Sequence, residues 1–242
     1  MKKTVLITGA TGDIGRAIVT KFAQEGWNII AQYSSSMIKA EDLEKKFAAQ
    51  GIHCLFLKAN FLSEFEVKRL LSALKKYRID TLVNNAGSYV EKKHFNEITL
   101  QNLNQTFMVN VFVPILLTSQ IFEDMKQRGG GGRIVNISSI AAKYGGSPRS
   151  LHYGAAKRAL EGMTRTLARA GASHNIYVNT IRAGIIDTNI QKIFPKDIEQ
   201  RIGLIPLRRM GQTQDIADMT FYLGSDKNNY ITNETMTIAG GE

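Results

Sequence analysis

The chain has 242 residues, 43% of them hydrophobic, which is enough for a substantial core and fits one large α/β domain. A single cysteine excludes an internal disulfide and a cysteine-based metal site. The four histidines lack metal-ligand spacing, so no catalytic metal is predicted. The formal charge of +10 fits either an acidic partner or a solvated basic surface. Because the basic residues are scattered and no nucleic-acid motif occurs, nucleic-acid binding is not expected.

The hydropathy pattern and the N-terminus bear on location. No run of about 18 apolar residues occurs, so a membrane span is not expected. The opening "MKKTVLITGATG" is basic and then apolar, but a Gly-rich turn follows at once and no small-residue cleavage site is present. It therefore indicates the first strand of a cytoplasmic protein rather than a secretion signal. Cys54, in the strand-like "IHCLFLKAN", is predicted to be a core thiol.

Short apolar runs alternate with helical periods along the chain. In order, the predicted strands are "TVLI", "WNIIAQY", "IHCLFLKA", "IDTLVNN", "RIVNISS", "IYVNTI" and "ETMTIAGG". The predicted helices lie near 14–25, in "MIKAEDLEKKFAAQ", in "EFEVKRLLSALKKY", and near 103–127, 151–173 and 214–224. Strands separated by helices imply right-handed crossovers. The predicted fold class is therefore α/β, a doubly wound (Rossmann-type) seven-stranded parallel sheet with helices on both faces.

The segment "TGATGDIG" directly follows the first predicted strand and carries regularly spaced glycines. Gly9 can make the tight turn, Gly12 can let backbone N–H groups approach a diphosphate, and Gly15 lets the next helix pack on the sheet. Alone, the pattern also fits a plain turn. "NNAG" and "SSIAA" follow two other strands, so all three segments are expected to converge on one cleft at the carboxyl edge of the sheet.

Seven features occur in order along the chain. They are "TGATGDIG", "NNAG" (84–87), Asn110, "NISS" (136–139), "YGAAK" (153–157), "IRAGIIDT" (181–188) and "YITNETMTIAGG" (230–241). From end to end the chain resembles the short-chain dehydrogenase/reductase family, in its compact single-domain branch, and is most similar there to the 3-oxoacyl-(acyl carrier protein) reductases. The resemblance implies a single Rossmann-type dinucleotide-binding and catalytic domain over 1–242 that acts as a nicotinamide-dependent oxidoreductase.

The chain departs from that branch in three places. The usual GxxxGxG pattern would require Gly where Asp13 stands, and the observed spacing fits the GxxGxxG of the family's extended branch. Asp13 is expected either to cap the following helix or to weaken diphosphate binding unless it turns outward. Ala183 replaces the usual Pro before Gly184, which frees the backbone at that turn and predicts a looser cleft wall. The segment from Ser139 to Tyr153 is one residue longer than in the nearest relatives.

The end of the second strand, "AQYSSS", bears on cofactor choice. NAD-selective members need a carboxylate there, and no acid occurs between Asn28 and Ala40, which favours NADP(H) over NAD(H). The serines can hydrogen-bond a 2′-phosphate, with Lys39 or Arg16 supplying charge. The alternative is that they form a plain polar loop.

Tyr153 and Lys157 are four residues apart, which places both side chains on one face of a helix. A neighbouring cation favours the phenolate, so Tyr153 is a plausible proton donor to a carbonyl oxygen. In isolation this spacing also fits a surface pair. The resemblance adds that Ser139 hydrogen-bonds the substrate oxygen, that Lys157 binds the nicotinamide ribose, and that Asn110 holds a water linking Lys157 to solvent. Asn110, Ser139, Tyr153 and Lys157 are therefore the predicted catalytic residues.

The predicted cofactor-binding residues are Gly9, Thr11, Gly12, Asp13, Ile14, Gly15, Tyr33, Ser34, Ser35, Asn60, Asn84, Ala86, Gly87, Tyr153, Lys157, Gly184, Ile186 and Thr188. By the resemblance, Asn60 contacts the adenine, and Ile186 and Thr188 contact the nicotinamide carboxamide. Asn84, Ala86 and Gly87 stabilise the sheet and line the cleft.

The leading functional hypothesis is an NADP-dependent carbonyl reductase, with 3-oxoacyl thioesters among its candidate substrates. The charge of +10 suits an acidic acyl carrier protein or acyl-CoA. However, the family's carrier-docking surface uses two basic residues near the cleft, and here Arg128 matches one while His174 stands at the other. The alternatives are a dehydrogenase of a small sugar or alcohol, or a cofactor-binding regulator without turnover. The regulator is disfavoured because a pure binder needs no proton relay.

Two segments suggest assembly and substrate access. The helices near 103–127 and 151–173 carry more apolar surface than one sheet face requires. In the family these helices and the C-terminal strand pair with their copies, so a homotetramer is predicted, with a dimer or a monomer as alternatives. The segment 194–211 lies where the family places a mobile substrate lid, although a plain surface helix and loop fits it equally well.

Overall fold

The computed structural model describes residues 2–88, 94–189, 191 and 198–242. Seven strands form one sheet in the order β3-β2-β1-β4-β5-β6-β7, and every neighbouring pair is parallel. The strands are β1 (Thr4–Ile7), β2 (Asn28–Tyr33), β3 (Cys54–Lys58), β4 (Thr81–Asn84), β5 (Gly132–Ser139), β6 (Ile176–Ala183) and β7 (Thr235–Ile238). The order reverses between β1 and β4, which is the pattern of a doubly wound sheet. The predicted fold class is confirmed.

The described helices are α1 (Asp13–Gln24), α2 (Met37–Ala48), α3 (Glu64–Leu74), α4 (Leu100–Phe107), α5 (Val113–Arg128), α6 (Ile140–Tyr144), α7 (Leu151–Gly171), α8 (Ile198–Leu204) and α9 (Thr213–Gly224). All six predicted helices occur, with ends shifted by a few residues. Helix α6 was not predicted, because five residues are too few to show a helical period, and α8 lies in the segment 194–211 for which a surface helix was one of the two alternatives.

The predicted helix near 103–127 is longer and less regular than expected. It starts at Leu100, because the Thr99 hydroxyl caps it by accepting a hydrogen bond from the backbone N–H of Asn102. Residues Met108–Phe112 form a π-helical segment between α4 and α5. The whole stretch Leu100–Arg128 reaches a mean hydropathy of 1.4 over its most apolar window, so by length and composition alone it could cross a membrane. Half of that window is buried in the protein, as is typical of a core helix.

Alternation along the strands divides the core into two layers. Val5 and Ile7 point to the face covered by α1 and α9, where Phe22 meets Phe221 edge-to-face at 5.0 Å between ring centroids. Leu6 points to the opposite face, in the layer that receives apolar side chains of α3 and α5. Helices therefore cover both faces, and only the edges of the sheet are left for a cleft. Cys54 is buried in the first layer, as predicted.

Candidate active site

The glycine loop is shaped by close backbone approach. Gly9 has φ +64°, and a Cβ there would lie 2.8 Å from Cα of Ala86. A Cβ on Gly15 would lie 2.1 Å from the carbonyl oxygen of Gly9, so α1 can follow the turn only with glycine at that position. At Gly12 the nearest atom to a Cβ is 3.4 Å away, an ordinary contact.

Helix α1 begins directly after Gly12, so the N–H groups of its first turn have no acceptor inside the helix. They are suited to bind an anion at the carboxyl edge of the sheet, as a cofactor diphosphate requires. Thr11 lies half-buried in the turn, and Ile14 packs against the core layer under α1. The loop therefore fits a dinucleotide by its own geometry.

Two side chains that the sequence reasoning missed hold this loop in place. Gln32 is 2% exposed near the end of β2; its Oε1 accepts from the backbone N–H of Gly9 at 2.9 Å, and its Nε2 donates to the carbonyl of Ala59 at 2.7 Å. Asn85 donates from Nδ2 to the carbonyls of Thr8 (2.8 Å) and Gly9 (3.2 Å). A glutamine within the apolar run "NIIAQY" was the available signal, because a buried polar side chain needs partners.

Asp13 does not cap α1, which corrects one of the two expectations for it. It is the first residue of the helix, and Gly12 occupies the N-cap position. Its carboxylate accepts from the backbone N–H of Asn189 (2.8 Å), from Asn189 Nδ2 (3.0 Å) and from Arg16 Nη2 (2.8 Å). Burial raises the pKa of Asp13, but these hydrogen bonds and the Arg16 charge outweigh it and leave the pKa lowered. The carboxylate therefore ties the glycine loop to the segment that follows β6.

The "NNAG" segment has an inner and an outer part. The Asn84 side chain is buried and donates to Thr118 Oγ1 and Asn136 Oδ1, both at 2.9 Å, so it stabilises the sheet as the resemblance implied. The backbone N–H of Ala86 donates to Thr8 Oγ1 at 2.9 Å, which joins this segment to the glycine loop. Gly87 lies farther along the same edge and faces the catalytic side chains described below.

The region past β2 has the polar surface expected for an adenosine site. Ser34 and Ser35 are exposed there, whereas Tyr33 is 7% exposed and packs its ring near Phe56. The predicted cofactor contacts of Tyr33 and of the two serines stay predictions. Asn60 follows β3, where its Oδ1 accepts from the backbone N–H of Leu62 at 3.0 Å.

The wall after β6 is tied to the C-terminal strand. The backbone N–H of Gly184 donates to the carbonyl of Ile238 at 2.9 Å, and a Cβ on Gly184 would lie 2.7 Å from Ala239. Ile186 is buried and pairs with Gly211 in an isolated bridge. Thr188 donates from its hydroxyl to the carbonyl of Ile186 at 3.3 Å.

Ala183 itself is the last residue of β6, in register with Ser139 and Ile238. The regular pairing thus continues to the position where relatives carry Pro. The predicted looseness of this wall stays a prediction.

The four predicted catalytic residues come from three elements that meet at the carboxyl edge. Ser139 ends β5 and caps α6, its Oγ accepting from the backbone N–H of Ala141 at 3.2 Å. Tyr153 and Lys157 lie one turn apart in the first half of α7, with Lys157 Nζ 5.8 Å from the Tyr153 ring centroid. Asn110 lies in the π-helical segment, where its Nδ2 donates to the carbonyls of Ser88 (3.0 Å) and Thr106 (2.9 Å).

Lys157 is the charged centre of this cluster. It is 3% exposed and donates to the carbonyl of Ile137 at 3.0 Å. Burial lowers its pKa to about 8, against which the negative charge of Glu161 acts. A Cβ built on Gly87 would lie 3.3 Å from Lys157 Nζ and 3.4 Å from Asn110 Oδ1, so both atoms border one small space. Asn110 Oδ1 is buried, and no donor among the described residues reaches it, as expected for an atom that binds a water.

The motifs and this geometry can now be set against known proteins. Residues 9–242 match a short-chain dehydrogenase family model described as enoyl-(acyl carrier protein) reductase. The chain is also 32% identical over 252 residues to 3-oxoacyl-(acyl-carrier-protein) reductase FabG of Staphylococcus epidermidis, covering 100% of this chain and 99% of the relative. The chain is a short-chain dehydrogenase/reductase. It is accordingly a nicotinamide-dependent oxidoreductase.

Solved structures agree with this family membership. A blue fluorescent protein from a metagenomic library, in complex with NADPH, superposes with a TM-score of 0.92 at 30% identity, covering 99% of this chain and 97% of that one. Acetoin dehydrogenase from Enterobacter cloacae superposes with a TM-score of 0.89 at 28% identity, covering 100% and 95%. The relatives thus include enzymes named for a thioester-linked substrate and for a small free one.

Arg128 and His174, the two positions considered for carrier docking, do not lie near the cleft of their own chain. This corrects the expectation that they would. Arg128 ends α5, immediately before the glycines that lead into β5, whereas Ser139 lies at the other end of that strand. Its guanidinium donates to the carbonyl of Ile79, with Asp124 at 3.2 Å. His174 precedes β6 at the same amino edge. Helices of this short-chain dehydrogenase run antiparallel to the strands, so their C-terminal ends lie opposite the catalytic edge.

Part of the predicted lid, residues 194–197, lies outside the described residues. The described remainder contains α8, whose last residue Leu204 is exposed, and a loop in which Leu207 is exposed. The loop is attached to the C-terminus by a hydrogen bond from the backbone N–H of Leu207 to the carbonyl of Gly240, at 3.1 Å. This arrangement is compatible with both interpretations of the segment.

Proposed function

We propose that this protein is an NADP(H)-dependent carbonyl reductase and alcohol dehydrogenase in which Tyr153 is the general acid. The observation that carries the proposal is that Lys157 and Asn110 meet beside Gly87 with Tyr153 next to Lys157, while Ser139 ends β5 at the same edge of the sheet. This cluster lies at the same sheet edge as a glycine loop shaped for a diphosphate. The tyrosine next to Lys157 and the orphaned amide oxygen of Asn110 favour turnover, because a regulator that only binds cofactor needs no proton relay.

Each side chain has a distinct task in this proposal. The Tyr153 hydroxyl donates its proton to the substrate carbonyl oxygen during reduction and takes it back in the reverse direction. The Ser139 hydroxyl donates a hydrogen bond to the same oxygen and polarises the carbonyl. The buried ammonium of Lys157 favours the phenolate that Tyr153 leaves behind. The nicotinamide cofactor, when bound, supplies the hydride chemistry.

Asn110 completes the route by which the proton is replaced. Its orphaned Oδ1 and Lys157 Nζ border the same small space at Gly87, and a water bonded to both would complete the relay. That water would return a proton from solvent to Lys157 and then to Tyr153. The π-helical turn at Met108–Phe112 is what aims the Asn110 side chain inward.

The preference for NADP(H) rests on the end of β2. Ser34 and Ser35 are exposed there, and no carboxylate stands beside them in the sequence to repel a 2′-phosphate. Arg16 is engaged by Asp13, which makes the hydroxyls the main support for the preference. The NADPH complex of the metagenomic relative agrees with this choice.

A 3-oxoacyl thioester, either carrier-linked or as the CoA ester, is the first substrate class we propose, because FabG relatives match the whole chain. A small hydroxyketone, diketone or sugar is the second, favoured by the structural likeness to acetoin dehydrogenase. The amino-edge position of Arg128 and His174 leaves docking of an acidic carrier protein to some other basic surface of the chain or assembly.

The deciding experiment is NADPH oxidation with purified protein and four substrates: acetoacetyl-CoA, acetoacetyl carrier protein, diacetyl and a keto-sugar. Turnover of at least one, faster with NADPH than with NADH, is the expected result. Preference for the carrier-linked thioester over the CoA ester would show carrier recognition. Tight NADPH binding without turnover across a broad carbonyl panel would contradict the proposal and favour a regulator.

We also propose a cytoplasmic homotetramer in which residues 1–242 of each chain form one domain around the single sheet. Four large apolar side chains of the two helices predicted to pair, Phe112, Ile115, Leu116 and Leu151, are 41–48% exposed. A second apolar region surrounds a cavity of about 530 Å³ lined by Leu207, Tyr222 and Ile238, beside β7. Exposed apolar clusters of this kind are typical of subunit contacts. Light scattering at micromolar concentration should give a multiple of 26.9 kDa, and a single-chain mass would contradict assembly.

A further inference from the structure

The carboxylate of Glu161 lies at the centre of a buried polar cluster outside the four catalytic residues. Its side chain is 6% exposed. Oε1 accepts from Ser138 Oγ at 2.8 Å and from Arg182 Nε at 2.9 Å. Oε2 accepts from Arg182 Nη2 at 2.7 Å and from Arg158 Nη1 at 3.3 Å. A buried carboxylate with this many charged and polar donors is held in a fixed position.

This cluster lies directly behind the catalytic side chains. Glu161 is one helical turn after Lys157 on α7, and Ser138 immediately precedes Ser139 on β5. Ser138 Oγ also lies 3.4 Å from the carbonyl of Lys157. Ser138 and Arg182 are register partners on β5 and β6. One carboxylate therefore fastens α7 to both strands at the point where Ser139 and Lys157 face the cleft.

The same carboxylate sets the charge balance around Lys157. The charged or titratable groups that the described contacts place near that ammonium are Tyr153 and Glu161 on α7, with Arg182 of β6 and the exposed Arg158 of α7 beyond Glu161. The other elements packed against it contribute neutral groups, namely the carbonyl of Ile137 from β5, the Asn110 amide and Gly87. Burial lowers the pKa of Lys157 to about 8, and Glu161 is the group that opposes this.

We propose that Glu161 is a positioning residue that fixes Ser138 and α7 behind the catalytic cluster and keeps Lys157 cationic at neutral pH. This inference rests on the proposed function, in which Lys157 binds the cofactor ribose and supports Tyr153. A purely structural ion pair would instead affect folding alone, since removing one partner of a buried pair leaves an uncompensated charge and lowers stability. The two roles differ in what they do to the pH dependence of cofactor binding.

The charge can be removed with little change of shape. Glu161→Gln keeps an oxygen that accepts from Ser138, but it leaves Arg182 uncompensated, so the field at Lys157 becomes more positive. Arg182→Gln does the reverse, because it removes the closest cation and leaves only the exposed Arg158 to offset the negative charge of Glu161. A structural role would make both variants less stable, whereas the charge role moves the titration of Lys157 in opposite directions.

The experiment is a fluorescence titration of NADPH binding between pH 7 and 10, followed for each variant with circular dichroism as a folding control. In the wild type, binding should begin to weaken near pH 8, where ligand-free Lys157 loses its proton. In Glu161→Gln this onset should move down by at least about half a pH unit, which is about threefold weaker binding on the alkaline side. In Arg182→Gln it should move up by a similar amount.

Arg169→Gln is the matched control, since it removes a charge from an exposed position on the same helix, twelve residues after Lys157 and about 18 Å away. Its onset should stay at the wild-type pH. An unchanged onset in folded Glu161→Gln would overturn the inference, and so would an unchanged or lowered onset in Arg182→Gln, even if Glu161→Gln does not fold. Wild-type protein that does not bind NADPH would instead contradict the proposed function.

Discussion

The two sides of the cleft differ in where their charges lie. On the catalytic side, Lys157 and Glu161 are almost fully buried and are held by hydrogen bonds from three secondary-structure elements. On the cofactor side, the charged pair Asp13–Arg16 and the serines after β2 lie partly or fully in water, and the glycine loop between them is shaped by backbone contacts. Buried charges interact strongly and allow little variation, whereas exposed ones are screened. Chemistry should therefore be sensitive to substitution on the first side, and cofactor affinity should be adjustable on the second.

The largest effect is expected at Tyr153. Tyr153→Phe keeps the ring and removes the only proton that the side chain can donate, so turnover should fall at least about 10²-fold, the scale of general-acid catalysis. NADPH affinity measured on the same preparation should stay nearly constant, since the ring and Lys157 are retained. Turnover within a few-fold of wild type would contradict the role of Tyr153 as general acid. It would also contradict the expected difference in sensitivity between the catalytic and cofactor sides of the cleft.

Gly9→Ala tests the cofactor side, where backbone contacts shape the glycine loop. Alanine is strained at φ +64°, and its Cβ would lie 2.8 Å from the Ala86 backbone. If about 2 kcal/mol of that strain appears in cofactor binding, the NADPH dissociation constant should rise about 30-fold by fluorescence titration.

Gly51→Ala is the matched control for the loop. Gly51 has φ +68°, but no atom lies within 4 Å of its Cβ position. It should cost about 1 kcal/mol of unfolding free energy without changing NADPH affinity. Equal effects of the two substitutions on NADPH affinity would mean that backbone strain alone weakens binding. The close approach of the glycine loop to Ala86 would then have no separate role.

A smaller effect is expected at the end of β2. Ser34→Asp places a carboxylate on an exposed position where a 2′-phosphate would bind, whereas Tyr33 is too buried to carry that test. Repulsion should lower the ratio of NADPH to NADH affinity about tenfold, or 1.4 kcal/mol. Ser173→Asp, on an exposed serine near the amino edge, controls for the change in net charge and should leave the ratio unaltered. Tighter NADH than NADPH binding by the unmodified protein would contradict the NADP preference.

The sequence predicted the elements that depend on local pattern. The run "TVLI" predicted the first strand, and the Tyr153–Lys157 spacing put both side chains on one helix. What it could not predict depends on contacts between distant residues. Asp13 and Asn189 are 176 positions apart, and no local sequence pattern predicts that the Asp13 carboxylate pairs with Asn189. The π-helical turn that orients Asn110 likewise leaves no periodic signal in a continuous apolar run.

The smallest effect is expected at Asp13, whose two roles oppose each other. Its charge lies near the diphosphate site, but Arg16 neutralises part of it, and hydrogen bonds from Asn189 direct it toward the segment after β6. Asp13→Asn keeps an oxygen for the Asn189 N–H and removes the charge, so NADPH should bind about threefold more tightly at low salt, with less gain at high salt. Because the pKa of Asp13 is lowered, its charge is constant above neutral pH, and the gain should be the same at pH 7 and pH 8. Asp124→Asn is the control. It removes a carboxylate that also has an Arg partner, at an exposed position of α5, and should leave NADPH affinity unchanged. Weaker binding by Asp13→Asn would show instead that the ionised link to Asn189 matters more than the repulsion, and that this side of the cleft is also held by its charges.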